Sequence, residues 1–190
     1  HLSADAERAR YDLHRNDADD PGYRRHLQRL TTPLVAALPA GASGLDFGCG
    51  PGPVLQAMLS AAGHATAVYD PYYAPDSAAL TQRHDFIVAT EVVEHLSAPG
   101  AELDRLWQLL NPGGILAVMT QLRSPARTFA DWHYKNDPTH ISFFAMASLE
   151  HLAGRWHCRA EVMAVDVVFF RRMPDGQTSS AWAQPIPPIA

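Results

Sequence analysis

Residues 45–52 read Leu45-Asp46-Phe47-Gly48-Cys49-Gly50-Pro51-Gly52, a short apolar strand running into three closely spaced glycines, after which Pro53 opens a helix. Glycine has no side chain, so the backbone there can come within contact distance of a ligand. The free N–H groups at the start of the following helix favour polar or anionic groups. Downstream, the apolar run Ala65–Tyr69 ends in Asp70, whose carboxylate can accept hydrogen bonds from both hydroxyls of a ribose. Loop and acid together imply a nucleotide-like ligand. The glycine spacing is G-x-G-x-G, and Pro53 takes the sixth position of G-x-G-x-x-G, which weakens the case for a pyrophosphate-cradling dinucleotide fold. The plainer alternative makes the glycines a tight turn and Asp70 a helix cap.

Around this octet, short apolar runs alternate with helical patterns, the signature of βαβ units on a parallel sheet. Strands are expected at Gly44–Phe47, Ala65–Tyr69, Asp85–Thr90 and Ile115–Thr120, with helices at Pro53–Ala62, Pro99–Leu110 and Met146–Ala153. Gly63, Pro112-Gly113 and Gly154 stop them. Arg159–Ala164 and Asp166–Arg172 lie too close together for a crossover helix and predict an antiparallel pair closing the sheet. Residues 1–40 predict two helices, Ala4–Arg15 and Gly22–Leu38, with the second restarting at Thr32-Pro33. Its stripe of Tyr23, Leu27, Leu30, Leu34 and Leu38 must pack on something. Three regions follow: N-terminal helices over 1–40 packing on the domain, a ligand-binding domain over 41–173, and a loose tail over 174–190.

The 190 residues carry 15 Lys+Arg against 20 Asp+Glu, a net charge of −5, with 47% hydrophobic residues. A chain of this size buries roughly 70% of its unfolded surface and needs neither disulfide nor metal to fold. Its two cysteines, Cys49 and Cys158, have no CxxC partner, which excludes a zinc finger and points to a reducing, cytoplasmic compartment. Mild acidity disfavours nucleic acid as a partner. No apolar stretch approaches the ~20 residues a membrane helix needs. The chain begins with His1 rather than Met and has no charged-then-apolar leader, so a fragment without a targeting segment is expected.

Four blocks in order resemble class I S-adenosylmethionine-dependent methyltransferases. Leu45–Gly52 is similar to their motif I and Asp70 to the acid closing their second strand. Asp85-Phe86-Ile87-Val88-Ala89-Thr90-Glu91-Val92-Val93-Glu94-His95-Leu96 is similar to their fourth-strand segment, and Asn111-Pro112-Gly113-Gly114-Ile115-Leu116 to the turn into their fifth strand. The resemblance spans residues 44 to about 172. His140-Ile141-Ser142-Phe143-Phe144 before an amphipathic helix resembles the branch that includes ubiquinone-biosynthesis O-methyltransferases and many bacterial members of unknown substrate. The implied fold is α/β, a Rossmann-like, mostly parallel sheet with an antiparallel last strand, helices on both faces and an N-terminal helical extension.

The resemblance implies S-adenosylmethionine as cofactor and S-adenosylhomocysteine as product. Gly48, Gly50 and Gly52 would let the loop wrap the methionine part, with Phe47 and Cys49 beside them, and Asp46 would orient the loop or reach the amino group through water. Asp70 would hold the ribose, and the backbone of Thr90 and Glu91 would touch the cofactor at the strand's end. The family's third strand has no room between Asp70 and residue 84, so it is expected to be missing. Adenine contacts then fall to Pro71, Tyr72, Tyr73 or the 75–84 segment.

The segment 121–144 gathers Arg123, Arg127, Asp131, Trp132, His133, Tyr134, Lys135, Asp137 and His140, and is expected to cap the substrate. Trp132, Tyr134 and Asp137 are its candidate substrate contacts. Methyl transfer needs in-line placement with water excluded, and a base helps when the acceptor is a hydroxyl. His140, His95 and His133 compete for that role, with Asp137 a candidate to fix the tautomer of His140. Glu94 reads as a helix-start or ion-pair residue, and Cys49 as a small turn residue. Asp131, His133, Asp137 and His140 offer metal-type donors, but no His-x-His or His-x-x-x-His spacing pre-arranges two of them, so no metal is expected. Tyr11, Tyr23 or an N-terminal Arg could line the substrate entrance, and the same stripe could be a dimer contact.

The expected activity is methyl transfer to a small-molecule acceptor, with oxygen mildly favoured. The rivals are a nicotinamide-dependent oxidoreductase and a cofactor-binding partner module without catalysis.

Overall fold

The structure is a computed structural model, and it describes residues 2–13, 17–126, 128–174 and 176. At its centre β1 (Gly44–Phe47) runs parallel to β2 (Thr66–Tyr69) on one side and β3 (His84–Thr90) on the other. β3 pairs in parallel with β4 (Leu110–Met119), β4 pairs antiparallel with β6 (Val167–Arg171), and β6 forms an antiparallel hairpin with β5 (Ala160–Ala164). The sheet order is β2-β1-β3-β4-β6-β5. Only a 3₁₀ turn, Ser77–Thr81, lies between β2 and β3 among the described residues, so the third strand is absent, as the short intervening segment predicts.

All four residues of β1 are buried, and β4 is buried from Gly114 onward, because helices cover both faces. Side chains alternate across the sheet with period two. Leu45, Phe47, Ile87, Ala89, Leu116 and Val118 meet Leu103, Leu106 and Trp107 of α4 (Pro99–Gln108) and Leu149 and Leu152 of α5 (Met146–Arg155). On the other face, Phe86, Val88, Ile115, Ala117 and Phe169 meet Leu27, Leu30 and Leu34 of α2 (Pro21–Ala37) and Val54, Leu55 and Leu59 of α3 (Val54–Ala61). The leucine stripe read from the sequence therefore lies on the sheet.

Asp20 caps α2 by accepting from the Gly22 N–H at 2.7 Å, with Pro21 in the first turn. The restart expected at Thr32-Pro33 does not occur: α2 runs straight through Pro33. The missing N–H costs one backbone bond, and the packing of Leu30 and Leu34, both fully buried, holds the helix across it. The first helix, α1 (Ala4–Tyr11), ends earlier than expected, and Arg15 lies outside the described residues. α4 ends at Gln108 because Leu110 already pairs with His84, before a register shift. Of the expected 174–190 tail only Pro174 and Gly176 lie within the described residues.

Candidate active site

The carboxyl ends of β1, β2, β3 and β4 open into a cavity of about 1280 Å³, where an open parallel sheet places its ligands. One wall is the glycine loop. Gly48 and Gly50 sit at φ +78° and +65°, in the left-handed region, and Gly48 and Cys49 donate to the Tyr69 carbonyl at 2.7 and 3.4 Å. A Cβ on Gly48 would lie 2.4 Å from Val92, so the loop needs this glycine for its neighbour as well as for its turn.

Asp70 braces the loop from beneath. One carboxylate oxygen accepts from Gly50 N at 3.1 Å, and the other from Tyr72 N and Tyr73 N at 2.8 and 3.1 Å. Three accepted bonds leave a carboxylate spare lone-pair capacity, and Asp70 still lines the cavity. Asp46 is almost completely buried. Burial pushes its carboxyl up to about 7 and the charge of Asp70 adds to this, while a backbone hydrogen bond from Gln56 opposes it. Burial first, and then the Asp46 and Asp70 charges, push the Cys49 thiol up to about 12, which disfavours the thiolate a nucleophile needs.

Thr90 closes β3 with a buried hydroxyl that has no partner among the described residues. Glu91 follows at φ +52°, a strained position for a non-glycine residue. Burial first, and then the charge of Glu94, raise its carboxyl to about 8. Bare main chain, two acids on one rim and the orphan Thr90 hydroxyl fit a nucleoside that carries an amino-acid arm. Pro71, Tyr72, Tyr73 and Leu80 line the other end of the cavity, in the region the sequence assigns to adenine.

The opposite wall comes from the 3₁₀ turn Val93–His95 and from the 121–144 segment. His95 Nδ1 lies 3.1 Å from the Thr139 carbonyl and His140 Nδ1 2.7 Å from the Tyr134 carbonyl. A carbonyl only accepts, so each Nδ1 carries a proton, and in the neutral tautomer this leaves Nε2 with the lone pair. The two rings are 4.8 Å apart, and the edge of Tyr11 packs on His95 at 5.2 Å. Burial lowers the pKa of His95, with the Glu94 charge opposing. Asp137 does not fix the His140 tautomer. It accepts from the Thr139 N–H and hydroxyl at 2.9 and 2.6 Å and faces Arg10 at 3.5 Å, because the 137–139 turn bends its carboxylate back on itself.

Trp132, His133, Asp137 and His140 line the cavity, and Tyr134 does not. Tyr134 stands behind the wall, donating to Glu94 at 2.5 Å, with Glu91 Oε2 2.9 Å away. Burial and both carboxylates raise its pKa. His133 is exposed, whereas Trp132 is buried and meets Phe143 edge-on at 5.6 Å. Arg127 lies outside the described residues.

Glu94, read from the sequence as a helix-start or ion-pair residue, stands in the 3₁₀ turn Val93–His95 with His95 Nε2 4.0 Å away. The structure adds what the sequence did not show, its burial and its partners. Glu94 is fully buried, accepts from the Thr120 hydroxyl at 2.9 Å, and its main-chain oxygen ties down Ile141 and Ser142, both at 2.9 Å. The signal was the ionisable set Glu91, Glu94 and His95 closing an otherwise apolar strand. Tyr11 and Tyr23 line the cavity as anticipated, and His26, Arg29 and Asp166 join them.

Residues 20–156 match the model of a family described as a methyltransferase domain, and the chain belongs to that family. It is a class I, S-adenosylmethionine-dependent methyltransferase on a Rossmann-like fold, which leaves the nicotinamide alternative without support. No curated protein sequence matches the chain. Among solved structures, it is similar to the 1,6-didemethyltoxoflavin N1-methyltransferase of Burkholderia thailandensis, bound to 1,6-didemethyltoxoflavin and S-adenosylhomocysteine. That match has 19% identity and a TM-score of 0.59 over 91% of this chain and 92% of that one. An O-methyltransferase family protein of the same organism aligns at 12% identity and TM-score 0.56 over 89% and 63%. An O-methyltransferase from neocarzinostatin biosynthesis, bound to S-adenosylmethionine and 2-hydroxy-5-methyl naphthoic acid, aligns at 18% and 0.54 over 81% and 58%. Among the described residues no helix is long and apolar enough to cross a membrane.

Proposed function

We propose that the chain methylates an oxygen of a small-molecule acceptor held between the glycine loop and the 121–144 segment. The observation that carries this reading is the pair His95 and His140, whose Nδ1–H groups are held by carbonyls so that an Nε2 lone pair is available to a hydroxyl. Bound in the cleft, S-adenosylmethionine supplies an electrophilic methyl group. The glycine loop, Asp46 and Asp70 would hold its arm and ribose, and Thr90 would donate to it or accept from it. Tyr11 and Trp132 shut out water, so the acceptor is aligned in a dry site. The proton leaving the acceptor oxygen goes to this imidazole pair, where Glu94 stabilises the charge. Solved relatives that act on ring systems of similar size support a small acceptor, since a cavity of about 1280 Å³ holds cofactor and acceptor together.

The test is a panel of phenols, hydroxynaphthoates and N-heterocycles incubated with S-adenosylmethionine, followed by S-adenosylhomocysteine release and mass spectrometry of the product. Methyl on oxygen, lost in His140→Ala, is the expected result. Methyl only on nitrogen or carbon, or turnover indifferent to both histidines, would overturn it.

A further inference from the structure

We propose that Glu94, His95 and His140 form a binding site for a divalent first-row cation on the acceptor wall of the cavity. One ligand atom from each residue lies within 4.8 Å of the other two. A point between three such atoms is at worst about 2.8 Å from each, against ~2.1 Å for a nitrogen or oxygen bond to such a metal. Side-chain shifts under about 1 Å therefore close the site.

Three further observations point to a cation. Each imidazole gives its Nδ1–H to a main-chain carbonyl, Thr139 for His95 and Tyr134 for His140. This is the arrangement that fixes a ligating histidine with Nε2 free for metal. Glu94 is fully buried, and its recorded hydrogen bonds come from neutral hydroxyls, Thr120 and Tyr134. Among the described residues its one ion-pair contact is His95 at 4.0 Å, and no Lys or Arg pairs with it. A buried carboxylate without a cation is costly, and a divalent ion satisfies it. Finally, His95 and His140 line the cavity while Glu94 stands behind them, so the site is closed on the protein side and open toward the acceptor.

Two imidazoles and one carboxylate, with open positions left for water or an acceptor oxygen, suit zinc, manganese or cobalt rather than calcium or magnesium. In the role that rests on the O-methylation reading, the bound cation replaces the imidazoles as the activator. It would take the acceptor oxygen as a ligand and lower its pKa, and the proton would pass to water at an open position, because a histidine ligating through Nε2 accepts none. Sequence spacing hides the site because His140 reaches Glu94-His95 only through the fold. Of the four donors in the 131–140 segment, His140 alone joins it.

The experiment is titration of chelator-treated full-length protein with Co²⁺, read by visible absorption and calorimetry, beside titration of the same protein with S-adenosylhomocysteine. The expected result is one equivalent of Co²⁺ with ligand-field bands, weakened at least ~100-fold in His95→Gln and His140→Gln and unchanged in His151→Gln on the exposed face of α5. Circular dichroism checks that each variant is folded, and the two histidine variants keep the test usable should Glu94→Gln unfold. Absence of stoichiometric binding, or binding that survives both histidine substitutions, overturns the site. The S-adenosylhomocysteine titration reads the cofactor cleft independently, so failure of the metal site and failure of the methyltransferase reading give different results.

Discussion

Gly48 and Val92 are so close that a β-carbon on the glycine would stand 2.4 Å from one methyl of the valine and 2.9 Å from the other. The first turn of the cofactor loop is thus packed directly on the second residue after the end of β3. Gly48→Ala meets this clash and a φ of +78° together, and the backbone penalty alone is ~1–2 kcal/mol. Its melting temperature is expected to fall by several degrees, at roughly 2–4 °C per kcal/mol for a chain of this size. Adding Val92→Ala removes both methyl contacts, leaving only the β-carbon of residue 92 at 3.2 Å and the φ penalty, so the double variant recovers part of the loss. A double variant no more stable than Gly48→Ala would show that the contact is not the cause.

Asp70 holds three main-chain N–H groups, those of Gly50, Tyr72 and Tyr73, and so shapes both the glycine loop and the segment expected to reach adenine. Asp70→Ala leaves all three without that acceptor and removes the carboxylate proposed to hold the ribose. S-adenosylhomocysteine is expected to bind at least ~10-fold more weakly by calorimetry, a change of about 1.4 kcal/mol. Asp70→Asn keeps one acceptor oxygen and falls between alanine and wild type. Unchanged affinity in the alanine variant would remove Asp70 from the cofactor site.

These two residues also mark what the sequence could and could not reveal. Glycine spacing and the acid after the second strand are local patterns, so β1, its loop and Asp70 were legible, as were the apolar runs of β3 and the last two strands. Tertiary packing overrode local signals elsewhere. Pro33 reads as a break, yet the burial of Leu30 and Leu34 carries α2 through it. Asp137 reads as the partner of His140, yet its turn folds it onto Thr139. The place of Glu94 beside His95 was legible but its burial was not, because its surroundings, Thr120, Tyr134 and the main chain of Ile141, come from distant segments that only the folded chain brings together.

Asp46 gives a pH prediction with a definite sign. Its folded pKa, about 7, is above the ordinary aspartate value, so folding favours the protonated form. The stability from this is complete at pH values below the unfolded pKa and is lost as pH rises through about 7. Asp46→Asn cannot ionise, so the two proteins should have matching pH trends below about pH 4 and diverge above it. At pH 8 the variant is expected to melt several degrees higher while binding S-adenosylhomocysteine more weakly, a trade of function for stability. Melting curves from pH 4 to 8 check it. Parallel curves over that range would mean that Asp46 is ionised throughout.

Helix α1 has no buried residue and is held over the cleft by polar contacts. Glu7 accepts from the hydroxyls of Tyr11 and Tyr72 at 2.8 and 2.7 Å, Asp12 accepts from Tyr73 at 2.6 Å, and Arg10 faces Asp137 at 3.5 Å. An isolated helix of this length is marginal in water, and surface pairs are worth ~0–1 kcal/mol each. The same helix brings Tyr11 onto His95, where its opening would admit ligand and its closing would exclude water. Amide hydrogen exchange is expected to be fast in α1 of the free protein, slow in α2, and slowed in α1 when S-adenosylhomocysteine binds. Glu7→Ala, which frees both tyrosines, should raise the ligand's dissociation rate several-fold and leave the melting temperature nearly unchanged. Exchange in α1 as slow as in α2 without ligand would show the helix to be a fixed wall rather than a moving cover.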